Sequence, residues 1–574
     1  MPASNLHAAA ARAAGAADFD PFTRDIIQQS VVAIGDEMFA AMRKTAMSAV
    51  IYEVLDMGTA ITTADGDLAA SGAGIPSFVC ILDKAVQRII ELHGWDNIQP
   101  GDIFVTNDPD YGGVTHLNDV ALVLPVFADG VCIAWTGNVA HWNDIGGMDK
   151  GSMSTRATGI HQEGLRLPAV KLFTGGKPVQ QLIDVMKVNS RLPDYLQGDM
   201  WAGIAAARLG ERRIIELSAK YGRDAFIHAM EDYLDYGERQ TLHGLASLPH
   251  GSFELEEKQD NGEIWKIRVE VGSDRFVVDL RDAPDQKDGP YNLSRDGALV
   301  ACQLMVKSAT SPETACNGGS FRPLKLLTRR GSIFDPYEGA AHGFYFETRT
   351  RLHDMILQCL ARHLGDRLPA GGFASVCGTV IGGIHPGHGR YFTMVEPQIG
   401  GWGATASRDG LNAQFSCIHG ETFNCPAEIH EVRHGMVVES LSLNTAPGGY
   451  GKFTGGRGIV AEYRMMARDA FLTVGYSRSV VPPWPMQGGH EGTTNYVEVE
   501  RRDGSVETYS IATGVPVAQG DLIRVITGVG GGWGDPRERD RNKVIADVRD
   551  ELIPPEIAET VYGVPLLHPS GRPS

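Results

Sequence analysis

Gly112-Gly113-Val114-Thr115-His116-Leu117-Asn118-Asp119 opens a stretch that continues through the apolar run Val120–Phe127, the turn Ala128-Asp129-Gly130 and the apolar run Val131–Ala140, and closes on His141-Trp142-Asn143-Asp144. Two apolar runs joined by Asp-Gly read as an antiparallel hairpin. A His-x-Asn-Asp motif stands at each open end. With Asp129-Gly130 as a two-residue turn, paired positions sum to about 259, so His141 is expected opposite Asn118 and within about two residues of His116 and Asp119. Cross-strand neighbours have Cβ atoms roughly 5 Å apart. On a regular strand His116 and Asp119 would face opposite ways, so the chain has to bend, and Gly112-Gly113 is the expected place. Imidazole and carboxylate groups brought together in this way suit Zn²⁺, Mn²⁺ or Fe²⁺, and spacing does not choose among them.

Working outward, Asp20–Glu53 reads as one long helix, capped by Asp20 or Thr23, with apolar residues at helical spacing through Ile26, Val31, Ile34, Met38, Met42 and Met47. At its end Glu53 and Asp56 sit three apart, on one face if the helix continues, and either is a candidate fourth ligand. Thr59–Ala69 reads as a short hairpin about Asp65-Gly66, and Leu82–His93 as an amphipathic helix. Asp102–Thr106 is a short apolar run. His161-Gln162-Glu163-Gly164 follows the central hairpin and is placed to line the same pocket. Leu182–Gly222 and Arg223–Ser247 read as helices, Ser252–Leu280 as strands, Gly297–Lys307 and Phe344–Leu364 as helices, and Arg537–Tyr562 as a charged helical tail. The expected fold is α+β with several subdomains: a metal-binding part over 1–245, a β-rich middle over 246–340 and a glycine-rich α+β part over 341–574.

Composition narrows the function classes. A formal net charge of −18 with no basic run argues against nucleic acid and anionic membrane surfaces as partners. No run of about 18 apolar residues predicts a membrane span, and Met1–Asp18, rich in alanine, lacks the charged start and apolar segment of a signal peptide. Eight cysteines without CxxC spacing fit reduced, mostly buried thiols of a cytoplasmic protein. The glycine clusters at 448–451, 455–458 and 528–532 lack the GK[ST] ending of a phosphate loop, and no GxSxG elbow occurs. Nucleotide binding is therefore not expected of this chain.

Glu53-Val54-Leu55-Asp56, Gly101–Pro109, Gly112–Asp119 and Thr158–Gly164 resemble, in this order, the hydantoinase B/oxoprolinase family. Asn317–Pro323, Gly400–Ala404, Arg408-Asp409-Gly410, Asn424–Glu428 and Gly530–Pro536 extend the resemblance over most of the chain. It implies a metal-binding subunit that works with a hydantoinase-A-type, ATP- and Mg-binding partner in a hetero-oligomer, α2β2 or larger. The partner phosphorylates a carbonyl oxygen and this chain completes the hydrolysis of a cyclic amide such as a hydantoin, oxoproline or lactam. It places the metal, Zn or Mn, on His116, Asp119 and His141, with Asp56 favoured over Glu53 as fourth ligand. Asp144, His161 and Glu163 are the candidates for handling protons or orienting water. A ketone carboxylase component and a non-catalytic scaffold are the alternatives.

Overall fold

The computed structural model describes residues 20–112 and 115–565. The alanine-rich start, and Gly113 of the expected bend, lie outside them. The helices are α1 (Pro21–Thr45), α2 (Ala49–Tyr52), α3 (Pro76–Val79), α4 (Leu82–His93), α5 (Gln180–Asn189), α6 (Pro193–Tyr221), α7 (Arg223–Ala246), α8 (Arg295–Thr310), α9 (Tyr345–Leu364), α10 (Ala427–Arg433), α11 (Arg541–Arg549) and α12 (Pro555–Thr560). Among the described residues the strands form four sheets. The first is built from β1 (Met57–Thr63), β2 (Leu68–Gly74), β3 (Ile103–Thr106), β4 (Asp119–Ala128), β5 (Val131–His141), β6 (Val170–Thr174) and β7 (Lys177–Pro178), in the order β2-β1-β5-β4-β3-β6-β7. The second joins β8 (Gly251–Lys258), β9 (Ile264–Val271), β10 (Phe276–Asp279) and β11 (Leu324–Leu327). The C-terminal part holds β12 (Gly378–Ile384), β13 (Tyr391–Glu396), β14 (Met436–Leu443), β15 (Ile459–Met465), β16 (Arg468–Gly475), β17 (Tyr496–Glu500), β18 (Val506–Tyr509), β19 (Ile511–Val517) and β20 (Leu522–Ile526). They pair as β13-β12-β16-β19 and β14-β15-β20-β17-β18. The architecture is α+β in several subdomains, with the helices of the N-terminal part packed on the first sheet.

The first helix is shorter than its apolar spacing suggests. Asp20 caps it by accepting from Phe22 and Thr23 N–H. Ile27, Val31, Ile34, Met38 and Met42 are buried, while Ile26 and Met47 are exposed, so the buried stripe follows the expected positions from Val31 to Met42 but begins at Ile27 and ends before Met47. The helix stops at Thr45 because Asp199 of α6 accepts the N–H groups of Met47 (2.8 Å) and Ser48 (3.1 Å), which holds these peptides out of helical register. Its contact with the sheet is close: a Cβ on Gly35 would sit 2.8 Å from Gly72 Cα, so glycine is required where α1 crosses β2. Other expected helices also break. Ser190 to Leu192 separates α5 from α6, and Asp550 to Pro554 separates α11 from α12, which starts on Pro555.

One buried apolar cluster runs from Ile27 through Phe276 and Leu360 to Met486. It crosses the positions near 245 and 340 where the sequence changes character. The same crossing is made by charge. Arg351 and Asp354 of α9, Glu257 of β8 and Arg478, which follows β16, are all buried. Arg478 meets Glu257 at 2.8 Å and Asp354 at 2.5 Å, Arg351 meets Asp354 at 2.7 Å, and Arg351 also pairs with Glu257. Two cations and two carboxylates balance. Burial opposes ionisation of Asp354, but Arg478 and Arg351 outweigh it and hold the carboxyl below its ordinary value.

Removing one member strands a buried charge. Arg478→Met is expected to cost about 3–5 kcal/mol and to lower the unfolding midpoint, read by thermal or denaturant titration. A carboxyl whose value is lowered on folding stabilises fully above its unfolded value of about 4. That contribution is lost as pH falls through the folded value, so the gap between wild type and variant should shrink only in acid.

Candidate metal centre

The β4–β5 hairpin turns on Asp129 and Gly130, with φ of +50° and +77°, the pair of left-handed residues that suits a tight hairpin. Next to the turn Phe127 faces Cys132 and Ala128 faces Val131, as the expected register requires. A bulge between Val126 and Phe127 then moves the pairing by one residue, and from there Val126 faces Ala134 and Asp119 faces His141. His141 is therefore opposite Asp119 rather than Asn118. A bend lies at 116–119: Asp119 N–H bonds His116 O at 3.0 Å, and the strand begins only at Asp119. That single turn brings His116 and Asp119 to the same side.

The ligand atoms of His116, Asp119 and His141 lie within 4.8 Å of one another, and all three residues are buried. His116 Nδ1 is 3.1 Å from Gly343 O. A carbonyl only accepts, so Nδ1 carries the proton and Nε2 faces Asp119 Oδ1 at 3.1 Å. Asp119 Oδ2 accepts from the Thr115 hydroxyl and from Tyr345 OH at 2.9 Å. The asparagines of both motifs clamp backbone: Asn118 donates to Trp142 O at 2.9 Å, and Asn143 to Thr393 O at 3.0 Å.

Asp56 reaches the same cavity through an unusual backbone. After α2 the chain reverses at Leu55, φ +63°, a conformation costly for a branched side chain. Asp56 O then accepts His141 N–H at 3.0 Å, and the Asp56 carboxyl lines the cavity with the three cluster residues, outside the 4.8 Å group. Glu53 is not brought there. It borders a surface concavity with Arg43, Lys44 and Tyr52, because α2 ends at Tyr52 and the reversal at Leu55 breaks the helical face that would have aligned it with Asp56.

The electrostatics suit a cation. Burial pushes the Asp56 carboxyl up to about 8, with Asp119 adding repulsion. Burial also opposes ionisation of Asp119, but His116, His141 and Thr115 outweigh it and hold the carboxyl at about 2. Burial and the neighbouring His116 keep His141 neutral, at about 3. Asp56 Oδ1, Asp119 Oδ1 and His141 Nδ1 are buried with no hydrogen-bond partner. Lone pairs left this way are costly unless a ligand takes them. Two imidazoles and two carboxylates form a donor set that fits a divalent transition metal. The cavity holds only about 30 Å³, room for an ion and a water or two.

The proton-handling candidates separate. Asp144 is tied to Arg191 at 2.8 Å and to the N–H groups of Gly146 and Gly151, so its carboxylate is consumed in holding a loop. His161 is exposed on a short turn, Ile160–Gln162, away from the cavity. Glu163 is buried and pushed up by burial to about 7. It accepts the N–H groups of His342 and Gly343, and so fixes the carbonyl that orients His116 without itself lining the cavity. Sequence reading missed Tyr345 and His419, both of which line the cavity. His419 is kept neutral by burial, at about 3, and neither ring nitrogen has a partner. No local motif marks them. The one available signal was composition: α9 carries Glu347, Arg349, Arg351, His353 and Asp354, and all five are buried, which is rare for charged residues unless they are paired or functional.

The profile of the Hydantoinase B/oxoprolinase family matches residues 20–536. The beta chain of the caprolactamase of Pseudomonas jessenii is 28% identical over 95% of this chain and 96% of its own. The crystal structure of that ATP-dependent caprolactamase superposes with a TM-score of 0.87 over 96% of this chain and 98% of the other, at 26% identity. The B-type component of a putative D-/L-hydantoinase from Pseudomonas sp. strain NS671 is 27% identical over 95% of each chain. Acetone carboxylase shares the fold, with a TM-score of 0.87 at 18% identity over 97% of this chain and 81% of that one. With the profile covering nearly its whole length, the chain belongs to the hydantoinase B/oxoprolinase family.

Proposed function

We propose that this chain is the metal-binding subunit of a heteromeric, ATP-dependent hydrolase that opens a cyclic amide. The observation that carries the reading is the buried cluster of His116, Asp119 and His141 with unpartnered donor atoms, in a chain similar along its length to components named for hydantoinase and caprolactamase. Asp56, His116, Asp119 and His141 would hold the ion, zinc or manganese. When bound, such an ion supplies Lewis acidity, polarising a carbonyl and making water a better nucleophile.

The chain's own residues prepare that chemistry. Gly343, whose N–H is accepted by Glu163, fixes the ring of His116 through its carbonyl oxygen. Tyr345 OH and Thr115 fix Asp119, so little reorganisation is needed when the site is charged. Phe78, Phe346, Val380 and Val395 line the cavity and keep bulk water out, which strengthens every charge interaction inside. His419 is placed to orient the attacking water by a hydrogen bond from a neutral ring. An amide carbonyl is a poor electrophile, and phosphorylation of its oxygen by a hydantoinase-A-type partner with ATP and Mg would supply the missing activation, in an α2β2 or larger assembly.

Metal analysis by mass spectrometry tests the site. Purified wild type is expected to carry close to one ion per chain, His116→Ala and His141→Ala at least tenfold less, Asp56→Asn clearly less, and Glu53→Ala the wild-type amount. Equal metal in wild type and both histidine variants would sink the assignment.

Turnover tests the division of labour. Ring-opened product and ADP from hydantoin, 5-oxoproline or caprolactam should form only when the chain is co-expressed with a hydantoinase-A-type partner and supplied with ATP and Mg. Full turnover by this chain alone overturns the shared reaction, and bicarbonate-dependent consumption of a ketone by the pair replaces it with carboxylation.

A further inference from the structure

The metal cavity, at about 30 Å³, has no room for a substrate ring. A second cavity holds about 300 Å³, the lower end of the roughly 300–1,000 Å³ usual for small-molecule sites. No residue lines both. Three stretches of chain nevertheless pass from one wall to the other within a few residues: Phe346 to Thr350 on α9, Ala374 to Val376, and Cys417 to His419. Two residues of extended chain span at most about 7 Å, so the cavities are neighbours across a thin partition. The partition is held from α9. Glu347 accepts the N–H of Val376 at 2.9 Å and the Ser375 hydroxyl at 2.8 Å.

The walls of the larger cavity carry little usable charge, in a chain of formal net charge −18. Met305, Leu357, Leu368, Phe373 and Trp402 make them mainly apolar. Among the described residues that line it there is no lysine, arginine or glutamate. Burial keeps His353 neutral, at about 4. The Asp354 carboxylate is spent on Arg351 at 2.7 Å and Arg478 at 2.5 Å. The Cys417 sulfur lies 3.2 Å from His353 Nδ1. Ser308 of α8 and Cys417 are the exposed lining residues and mark where the cavity opens to solvent. An apolar concavity that opens to water is the usual form of a site for the apolar body of a ligand. A carboxylate placed there would lose its hydration and gain no cation in return.

We propose that this cavity seats the ring of the substrate and restricts it to uncharged, mainly apolar ring amides, so that a lactam such as caprolactam is accepted and the carboxylate-bearing 5-oxoproline is refused. The inference rests on the proposed function for the ring being that of a substrate. Binding of the ring itself needs neither partner nor ATP.

Caprolactam and 5-oxoproline are the probes, titrated by calorimetry into the metal-loaded chain, with alkylation of Cys417, followed by peptide mass, as a second readout. Caprolactam should bind and slow the alkylation several-fold. 5-Oxoproline should bind at least tenfold more weakly and give no protection. Ser308→Trp places an indole at the exposed mouth; it should keep the metal content and unfolding midpoint of wild type and bind caprolactam at least tenfold more weakly. Leu357→Phe takes up volume inside the cavity and should weaken caprolactam in the same direction, and it carries the test if the tryptophan variant does not fold. Absence of caprolactam binding to wild type overturns the assignment. So does an affinity for 5-oxoproline equal to that for caprolactam, and so does wild-type caprolactam affinity in both variants. Caprolactam held in this cavity without ring opening by the co-expressed pair would leave the binding site standing and remove the proposed function. Ring opening of 5-oxoproline in preference to caprolactam would keep the proposed function and remove the assignment of the cavity.

Discussion

The pairing of β4 with β5 is the constraint on which the site depends. Strand pairing has a side-chain period of two, so a shift of one residue turns every side chain to the other face. Asp129-Gly130 sets one register at the tip, and the bulge after Val126 sets another at the open end. Only the second puts Asp119 against His141. The bulge costs a ladder position and is placed where the sheet can absorb it, between the turn and the packed face covered by α6. There Asn138 and Thr136 donate to the carbonyls of Gly203 and Ala207. Those bonds, and the full burial of Trp135 with its indole N–H on Ala64 O at 3.0 Å, hold the strand in the register the site needs.

Around this hairpin the molecule closes by burying charge as well as apolar surface. α9 is buried on every side near its middle and carries ionisable residues that belong to two systems. Arg351 and Asp354 are neutralised by Glu257 and Arg478, and that balanced set joins the middle sheet to the C-terminal part. Tyr345, at the start of the helix, lines the metal cavity and donates to Asp119. Arg349, one turn on from Tyr345, is buried like Arg351 and Arg478, but its Nε and Nη2 have no hydrogen-bond partner.

Most elements were legible from periodicity, because helices α4 and α9 and strands β3, β4 and β5 have patterns set by local geometry and a single buried face. Misreadings fell where a distant residue intervened. Asp199 ends α1 and α2 begins afresh, which turns Glu53 outward and lets Leu55 swing Asp56 inward. The bulge in β5 moved His141 by one partner. Asp144 carries the motif residue type but is spent on Arg191.

The order of residues by itself determined the turn at Asp129-Gly130, the two apolar runs and the presence of His116, Asp119 and His141 near the open end of one hairpin. These follow from turn chemistry and from alternation, which act over a few residues. Only the tertiary structure decided which of Glu53 and Asp56 faces the cluster, that Glu163 works through the Gly343 carbonyl, and that α9 and His419 complete the cavity. Those partners lie from tens to hundreds of positions apart in the chain. Their meeting is set by how the sheets and helices exclude water from a shared core, and that leaves no trace in any one stretch of sequence.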